Sequence, residues 1–272
     1  MRIGVSSDKA LIRFRDRMAT KMKAKLIFGL ITVVGCVGES HASAEELALP
    51  ATAKSVRKVV SDGRHNAFAA FTKWRGDYWL AFRKGTGHVS RDGDLVVLRT
   101  EDTKQWHDST KFDVAGDDRD AQLLPTENRL FLYINSLHDG RFDAFVSYTD
   151  DGTTWSKPQQ IYRDGFILWK PVLHEGKYYS GAHRPSSNDR REAHLVASTD
   201  GIVWEKISTI RAGQGESETT LLFAPDKKLT AFLRSQINVG GAILESTPPY
   251  KEWKQRPAGS TCPDTPSTHL TE

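Results

Sequence analysis

A segment that ends in tryptophan recurs four times along the chain at a constant spacing of 49 residues. The tryptophans are Trp106, Trp155, Trp204 and Trp253. A hydroxyl side chain lies six residues before each of them, and an aspartate lies four residues before the first three. The segments read TEDTKQW, TDDGTTW, STDGIVW and TPPYKEW, so the fourth lacks the aspartate and the glycine. A period of this length indicates equivalent units that bury a continuous core by stacking.

The side chains of the repeated segment are those of a β-turn. An aspartate accepts backbone N–H groups, a glycine adopts a positive φ, and the tryptophan packs back between sheets. We therefore interpret these residues as structural rather than catalytic. They are Asp102, Trp106, Asp151, Gly152, Trp155, Asp200, Gly201, Trp204 and Trp253.

Short strands surround each segment, and no sustained helical periodicity follows the first 44 residues. One set of strands is predicted at Tyr78–Arg83, Leu130–Ser136, Tyr178–Arg184 and Leu229–Arg234. A second set is predicted at Leu95–Arg99, Asp143–Tyr148, Ala193–Ala197 and Gly241–Glu245. Four strands in a unit of about 50 residues are typical of a propeller blade. The sequence therefore predicts an all-β fold, a β-propeller of four-stranded antiparallel blades, of which four are recognisable.

The repeated segments resemble the Asp-box, or bacterial neuraminidase repeat, of the sialidase superfamily. Further motifs resemble a bacterial exo-α-sialidase-like family over residues 60–258. These motifs are His65–Phe68, Ala81–Gly85 with Gly87–Val89, Arg119-Asp120, Glu218 before Leu221–Phe223, and Pro248–Tyr250 with Trp253. The resemblance implies an exported glycoside hydrolase that needs no cofactor and releases terminal acidic sugars from glycans by retaining chemistry.

Arginines fall at the ends of three strands of the first predicted set. If strands A to D run outward from the axis, the Asp-boxes between C and D lie on the face opposite to these strand ends. Arg83, Arg184 and Arg234 would then meet at one opening. Three planar guanidinium groups there would form a clamp for a carboxylate. The alternative is that each arginine pairs with a neighbouring acid.

Asp120, Trp169 and Glu218 stand 49 residues apart at the beginnings of A strands. Such a set suits a sugar site, because an aromatic ring covers an apolar sugar face while carboxyl groups transfer protons. By resemblance, Glu218 is the glutamate that activates a tyrosine nucleophile. Asp120 is the first candidate for the acid/base, with Asp92 or Asp94 as alternatives. Other candidates for binding substrate are His88, Lys170 and His183.

The first 44 residues have the pattern of a leader for export. A basic segment precedes the apolar run Leu26–Val37, and Ala42-Ser43-Ala44 follows it, as in a cleavable signal peptide. A lipobox-like sequence that ends at Cys36 would instead leave a lipidated cysteine. We expect a periplasmic or extracellular protein without a transmembrane span. Its predicted divisions are a leader over 1–44, a propeller over 45–258 and an irregular tail over 259–272.

The charge distribution gives no reason to expect a nucleic-acid partner. Of the 38 Lys/Arg and 34 Asp/Glu residues, eight and three lie in residues 1–44, so the rest of the chain carries 30 basic and 31 acidic residues. A nearly neutral body lacks the electrostatic footprint of a polyanion-binding protein. The spacing of histidines, cysteines and acids also predicts no metal site.

The predicted ring lacks an evident closing strand. Ser55–Val60 reads as the outermost strand of a last blade, but no strand pattern after the fourth segment completes that blade. We therefore expect an incomplete five- or six-bladed propeller whose open sheet edges are available for association. The tyrosine-bearing blade would then be missing, which puts activity in doubt. The alternative function is a non-catalytic Asp-box propeller that binds a glycan or a protein.

Overall fold

The computed structural model describes residues 55–185, 191–237 and 241–257. Within these ranges the chain forms four antiparallel sheets of four strands, each in sequence order. The predicted leader (1–44) and the predicted tail (259–272) lie outside the described residues. No helix in the described ranges is long and apolar enough to cross a membrane.

The strands of the first two sheets are β1 (His65–Trp74), β2 (Asp77–Gly85), β3 (Asp94–Thr100), β4 (His107–Phe112), β5 (Asp117–Pro125), β6 (Leu130–His138), β7 (Arg141–Thr149) and β8 (Gln159–Ile161). Those of the third and fourth sheets are β9 (Ile167–His174), β10 (Lys177–His183), β11 (Glu192–Ser198), β12 (Glu205–Ala212), β13 (Glu216–Phe223), β14 (Leu229–Ser235), β15 (Ala242–Ser246) and β16 (Lys254–Gln255). The first strands of successive sheets pack side by side, β1 with β5, β5 with β9 and β9 with β13. The predicted all-β propeller fold is therefore confirmed, and the four recognisable blades are the four sheets of the described residues.

The hydrophobic core lies between neighbouring sheets, and the repeated tryptophans help to build it. The Trp155 ring packs edge-on against Trp79 of the first sheet, with ring centroids 6.0 Å apart. Trp204 makes the same kind of contact with Tyr133 of the second sheet, also at 6.0 Å. The indole N–H of Trp253 donates a hydrogen bond to Ser208 of the third sheet at 2.9 Å. Each of these tryptophans thus joins its own blade to the preceding one.

The aspartates of the repeated segments hold the turns between the third and fourth strands of the sheets. Asp151 accepts hydrogen bonds from the backbone N–H groups of Thr153 and Thr154 at 2.8 and 2.7 Å. Asp102 and Asp200 accept equivalent pairs of backbone hydrogen bonds. The backbone donors hold the pKa of Asp151 well below its ordinary value. These carboxylates are thus occupied in stabilising the turns.

In every repeated segment, the residue that follows the aspartate position has a left-handed backbone conformation, whichever amino acid stands there. Gly152 and Gly201 both have φ 77°, whereas Thr103 and Tyr250 have φ 60°. A β-branched residue in this region is strained, because its side chain crowds the backbone. The first turn therefore keeps the geometry of the others at an energetic cost.

Replacing Thr103 by glycine is expected to raise the free energy of unfolding by about 1 kcal/mol, since the strain at Thr103 exceeds the entropic cost of glycine. The same exchange at Thr153, which lies one residue beyond the left-handed position, removes no strain and is expected to destabilise the protein. Urea unfolding of the two variants checks the prediction. A Thr103→Gly protein that unfolds at a lower urea concentration than the unmodified chain contradicts it.

Each innermost strand carries the same β-bulge at the same level. The bulges span Ala67–Ala70, Arg119–Gln122, Trp169–Val172 and Glu216–Thr219, where three steps along the inner strand face two steps along its partner. The first extra residue of three bulges has a positive φ: 56° at Phe68, 51° at Asp120 and 46° at Lys170. A bulge redirects side chains out of the regular alternation of a strand. The four bulges therefore redirect side chains of the innermost strands around the axis of the propeller.

The strand predicted at Ser55–Val60 is not formed. This segment has no strand structure and pairs with none of the described sheets, and Val56 is 88% exposed. Its alternation of polar and apolar residues resembles a strand, but alternation alone does not supply the partner edge that a strand needs. The prediction of a strand at Ser55–Val60 was therefore wrong, and the predicted absence of the blade to which it would belong stays a prediction.

Candidate active site

The bulges of the second, third and fourth sheets bring together the residues that the sequence placed at A-strand beginnings. Two cavities adjoin at Trp169. One, of about 550 Å³, is lined by Phe68, Asp120 and Lys170 as well as Trp169. The other, of about 580 Å³, is lined by Trp169, Glu218 and Arg234. These cavities, which have an aromatic ring between two carboxyl groups, form the candidate site.

The carboxyl group of Asp120 is only 13% exposed and lies 3.6 Å from the guanidinium of Arg119. Burial raises the pKa of Asp120 to about 6, and the opposing effect of Arg119 is smaller. The negative charges of Glu218 and Asp117 add to the rise. A carboxyl group with this pKa is about half protonated at pH 6 and mostly protonated below it, so it is able to donate a proton.

Glu218 is held in the opposite protonation state. One guanidinium nitrogen of Arg234 donates to both carboxylate oxygens at 2.6 and 2.8 Å, and the hydroxyl of Ser217 donates to Oε2 at 2.6 Å. Burial alone would raise the pKa of Glu218, but these hydrogen bonds outweigh it and keep the pKa below its ordinary value. Glu218 is therefore ionised where Asp120 is protonated, a division of roles found in glycosidase carboxyl pairs.

The predicted aromatic and histidine residues occupy different depths of the site. Trp169 borders both cavities, and its ring lies 6.3 Å from the ring of His183. His183 is 3% exposed, and burial lowers its pKa to about 4, so that it is neutral at physiological pH. His88 is exposed, and the centroid of its ring lies 5.3 Å from that of the Phe68 ring. His183 thus underlies the site, while His88 lies beside its rim.

The three arginines do not form a clamp of free guanidinium groups. Arg83 is fully buried and pairs with Asp117 at 2.5 Å, Arg184 pairs with Glu192 at 3.4 Å, and Arg234 pairs with Glu218. The register explains the difference. In the first sheet, the residue paired with the start of the bulge is Arg83. At the same place in the third and fourth sheets stand Gly181 and Ser235, so the three arginines are not at equivalent positions.

Arg83 and Asp117 instead form a buried ionic cluster beneath Asp120. The guanidinium of Arg83 also donates to the carbonyl of Gly87 and to the hydroxyl of Ser90, each at 2.8 Å. The second oxygen of Asp117 lies 3.3 Å from Arg119, the neighbour of Asp120. Sequence reasoning overlooked Asp117, although two acids and an arginine directly before Asp120 are an unusual start for an inner strand.

The alternative acids lie away from the two cavities. Asp92 pairs with Arg64 at 2.5 Å, and hydrogen bonds from Ser90 and then Thr86 keep the pKa of Asp92 below its ordinary value. Asp94 pairs with Lys111 at the outer edge of the first sheet. Asp120 is therefore the better candidate for the acid. Within the described ranges no group of three or more histidines, cysteines and acids is arranged to hold a metal ion.

The fold is similar to those of solved carbohydrate-active enzymes. A sialidase from Trypanosoma rangeli, in complex with the inhibitor DANA, superimposes with a TM-score of 0.59 and 15% identity over 71% of this chain and 38% of that one. A family 117 glycoside hydrolase from Zobellia galactanivorans gives 0.50 and 13%, over 71% and 69%. An α-L-arabinanase from Penicillium chrysogenum, in complex with arabinobiose, gives 0.51 and 15%, over 67% and 60%.

The chain spans 38% of the length of the trypanosomal sialidase that it matches. No curated protein sequence matches it. The BNR repeat-like domain matches residues 121–258, about half of the chain, including the last three tryptophan segments and the bulges that carry Trp169 and Glu218. The repeats, the blades and this match agree, and the chain belongs to the BNR repeat-like domain family, with the propeller fold of the sialidase superfamily.

Proposed function

We propose that this protein is an exported glycoside hydrolase of the exo-α-sialidase type that acts on terminal acidic sugars of glycans. The observation that carries the proposal is the pair of carboxyl groups around Trp169, with the pKa of Asp120 raised and that of Glu218 lowered. Export rests on the leader pattern in residues 1–44. The neighbouring folds support hydrolysis of a glycosidic bond as the class of reaction.

Each residue of the site has a distinct task in the proposed reaction. Asp120 donates its proton to the leaving oxygen of the glycosidic bond. Glu218 accepts the proton of the hydroxyl group that bonds to the anomeric carbon as the glycosidic bond breaks, which by resemblance to sialidases is that of a tyrosine, and this task requires an ionised carboxylate. Trp169 covers the apolar face of the sugar ring. Lys170 and Arg234 supply positive charge along the two cavities for the carboxylate of the sugar.

A second candidate is a non-catalytic propeller that binds acidic glycans in the same cavities. Two observations favour it. Among the described residues that line the two cavities there is no tyrosine to serve as the nucleophile of a sialidase. Each of Arg83, Arg184 and Arg234 also already has a carboxylate partner.

Hydrolysis of a fluorogenic sialoside by the purified chain distinguishes the two functions. The proposal predicts turnover that is lost in Glu218→Gln. Saturable binding of sialic acid without turnover, measured by the change in total tryptophan fluorescence and weakened in Lys170→Met, establishes the second function instead. A chain that neither binds nor hydrolyses the sialoside contradicts both.

The rate of hydrolysis should fall as the pH rises through about 6. Asp120 must carry its proton to act as the acid, and its pKa is raised to about 6 by burial. The protonated fraction is therefore complete well below pH 6 and decreases about tenfold for each pH unit above it. A profile of kcat/KM against pH checks this, with Asp120→Asn expected to lose the alkaline fall together with most of the activity. Activity that is constant from pH 5 to pH 8 would exclude Asp120 as the acid.

A further inference from the structure

A chain of hydrogen bonds leads from the surface to the carboxylate of Glu218. The guanidinium of Arg191 donates to the side-chain oxygen of Gln236. The amide nitrogen of Gln236 donates to the hydroxyl of Ser217 at 3.1 Å, and that hydroxyl donates to Oε2 of Glu218 at 2.6 Å. Every donor in this chain points toward Glu218.

The surroundings of Ser217 fix the direction in which its hydroxyl group donates a hydrogen bond. Ser217 is 1% exposed and is the first extra residue of the bulge in β13, directly before Glu218. Because Gln236 donates to the oxygen of this hydroxyl, the hydroxyl proton is left to point at the carboxylate. A serine that is free to rotate has no such preference. The bulge and Gln236 together fix the direction of the hydrogen bond.

We propose that Ser217, oriented by Gln236 and Arg191, is a positioning residue that keeps the carboxylate of Glu218 in one orientation and ionised. The inference rests on the proposed function, in which Glu218 accepts a proton. Arg234 holds the carboxylate from β14, but its side chain is 61% exposed and open to solvent. The buried hydroxyl of Ser217 is a constraint that solvent does not compete with.

The charged and titratable groups around Glu218 define what else acts on its pKa. Arg234 from β14 lowers it. The charge of Glu218 also acts on buried His183 from β10 and on Asp120 from β5. None of these groups is altered when the hydroxyl of Ser217 is removed. A change in the titration of Glu218 in Ser217→Ala therefore reports on that hydroxyl.

The test is an NMR titration of the Glu218 side-chain carboxyl in the full chain, combined with kinetics. Ser217→Ala is expected to raise the pKa of Glu218 by about 1 and to lower kcat about tenfold, while KM changes less than twofold. Gln236→Ala, at an exposed position, is expected to shift the titration in the same direction by a smaller amount. Ser147→Ala is the matched control, since Ser147 is buried but donates to Ser156 in the second sheet.

An unchanged Glu218 titration in both Ser217→Ala and Gln236→Ala would overturn the proposal. An equal shift in Ser147→Ala would also overturn it, because the effect would then be a general loss of packing. The result is separable from the proposed function. If the unmodified chain hydrolyses no glycoside, the proposed function fails, while the titration still decides whether Ser217 controls Glu218.

Discussion

Glu218→Gln is expected to lower kcat/KM for a sialoside by about a thousandfold, the largest effect on activity that the site predicts. Glutamine keeps the shape of the side chain and one of the two hydrogen bonds from Arg234, but it does not accept the proton of the attacking group. The fluorogenic assay with equal amounts of folded protein measures the effect. Stability should change little, since the Arg234 side chain that pairs with Glu218 is 61% exposed and water replaces much of the lost attraction.

Glu175→Gln is the control for this variant, because it makes the same chemical change at a different place. Glu175 lies in the turn between β9 and β10, is 62% exposed and pairs only loosely with Lys227 at 3.6 Å. Its activity should equal that of the unmodified chain. If Glu218→Gln retains more than about a tenth of the activity, Glu218 does not have the role assigned to it.

Arg83→Met is expected to lower the free energy of unfolding by about 3–5 kcal/mol, the largest effect on stability. Both partners of the Arg83–Asp117 pair are almost completely buried, and removing the guanidinium takes away the nearest cation of the Asp117 carboxylate, which then has only Arg119 at 3.3 Å. The glycines around the pair show how closely it is packed, since a Cβ at Gly85 would lie 2.8 Å from the guanidinium nitrogens. Urea unfolding measures the loss.

Arg64→Met removes the same side chain from an exposed pair. Arg64 and Asp92 are 38% and 43% exposed, so water and salt replace much of their attraction, and a loss below about 1 kcal/mol is expected. A loss in Arg83→Met that is no larger than in Arg64→Met would show that the buried cluster does not stabilise the fold.

The blades could be predicted because their signals are local and repeated. The tryptophan segments marked the turns, and the predicted strand Leu229–Arg234 differs from the observed β14 by a single residue. Ser55–Val60 was mispredicted, since whether an alternating segment forms a strand depends on a partner edge that lies elsewhere in the chain.

The geometry of the site could be predicted only in part. The spacing of 49 identified Asp120, Trp169 and Glu218, and these residues do border adjoining cavities. It also implied that they are equivalent, whereas they lie at different positions of their bulges: Asp120 is the second residue, Trp169 the first and Glu218 the third. A constant spacing along the sequence does not reveal where each residue lies within its bulge. Differences in loop length between blades compensate for the shift of the bulge along the strand. The burial of Arg83 was likewise not predictable, because its partner Asp117 comes from another blade.

The most direct test of the site is the titration of the Asp120 side-chain carboxyl by NMR, in the unmodified chain and in Glu218→Gln. The structure predicts a pKa of about 6 for Asp120, part of which comes from the negative charge of Glu218. The pKa should therefore fall when that charge is removed. A pKa of about 4, the ordinary value for aspartate, that is the same in both proteins would show that the two carboxyl groups do not share one site.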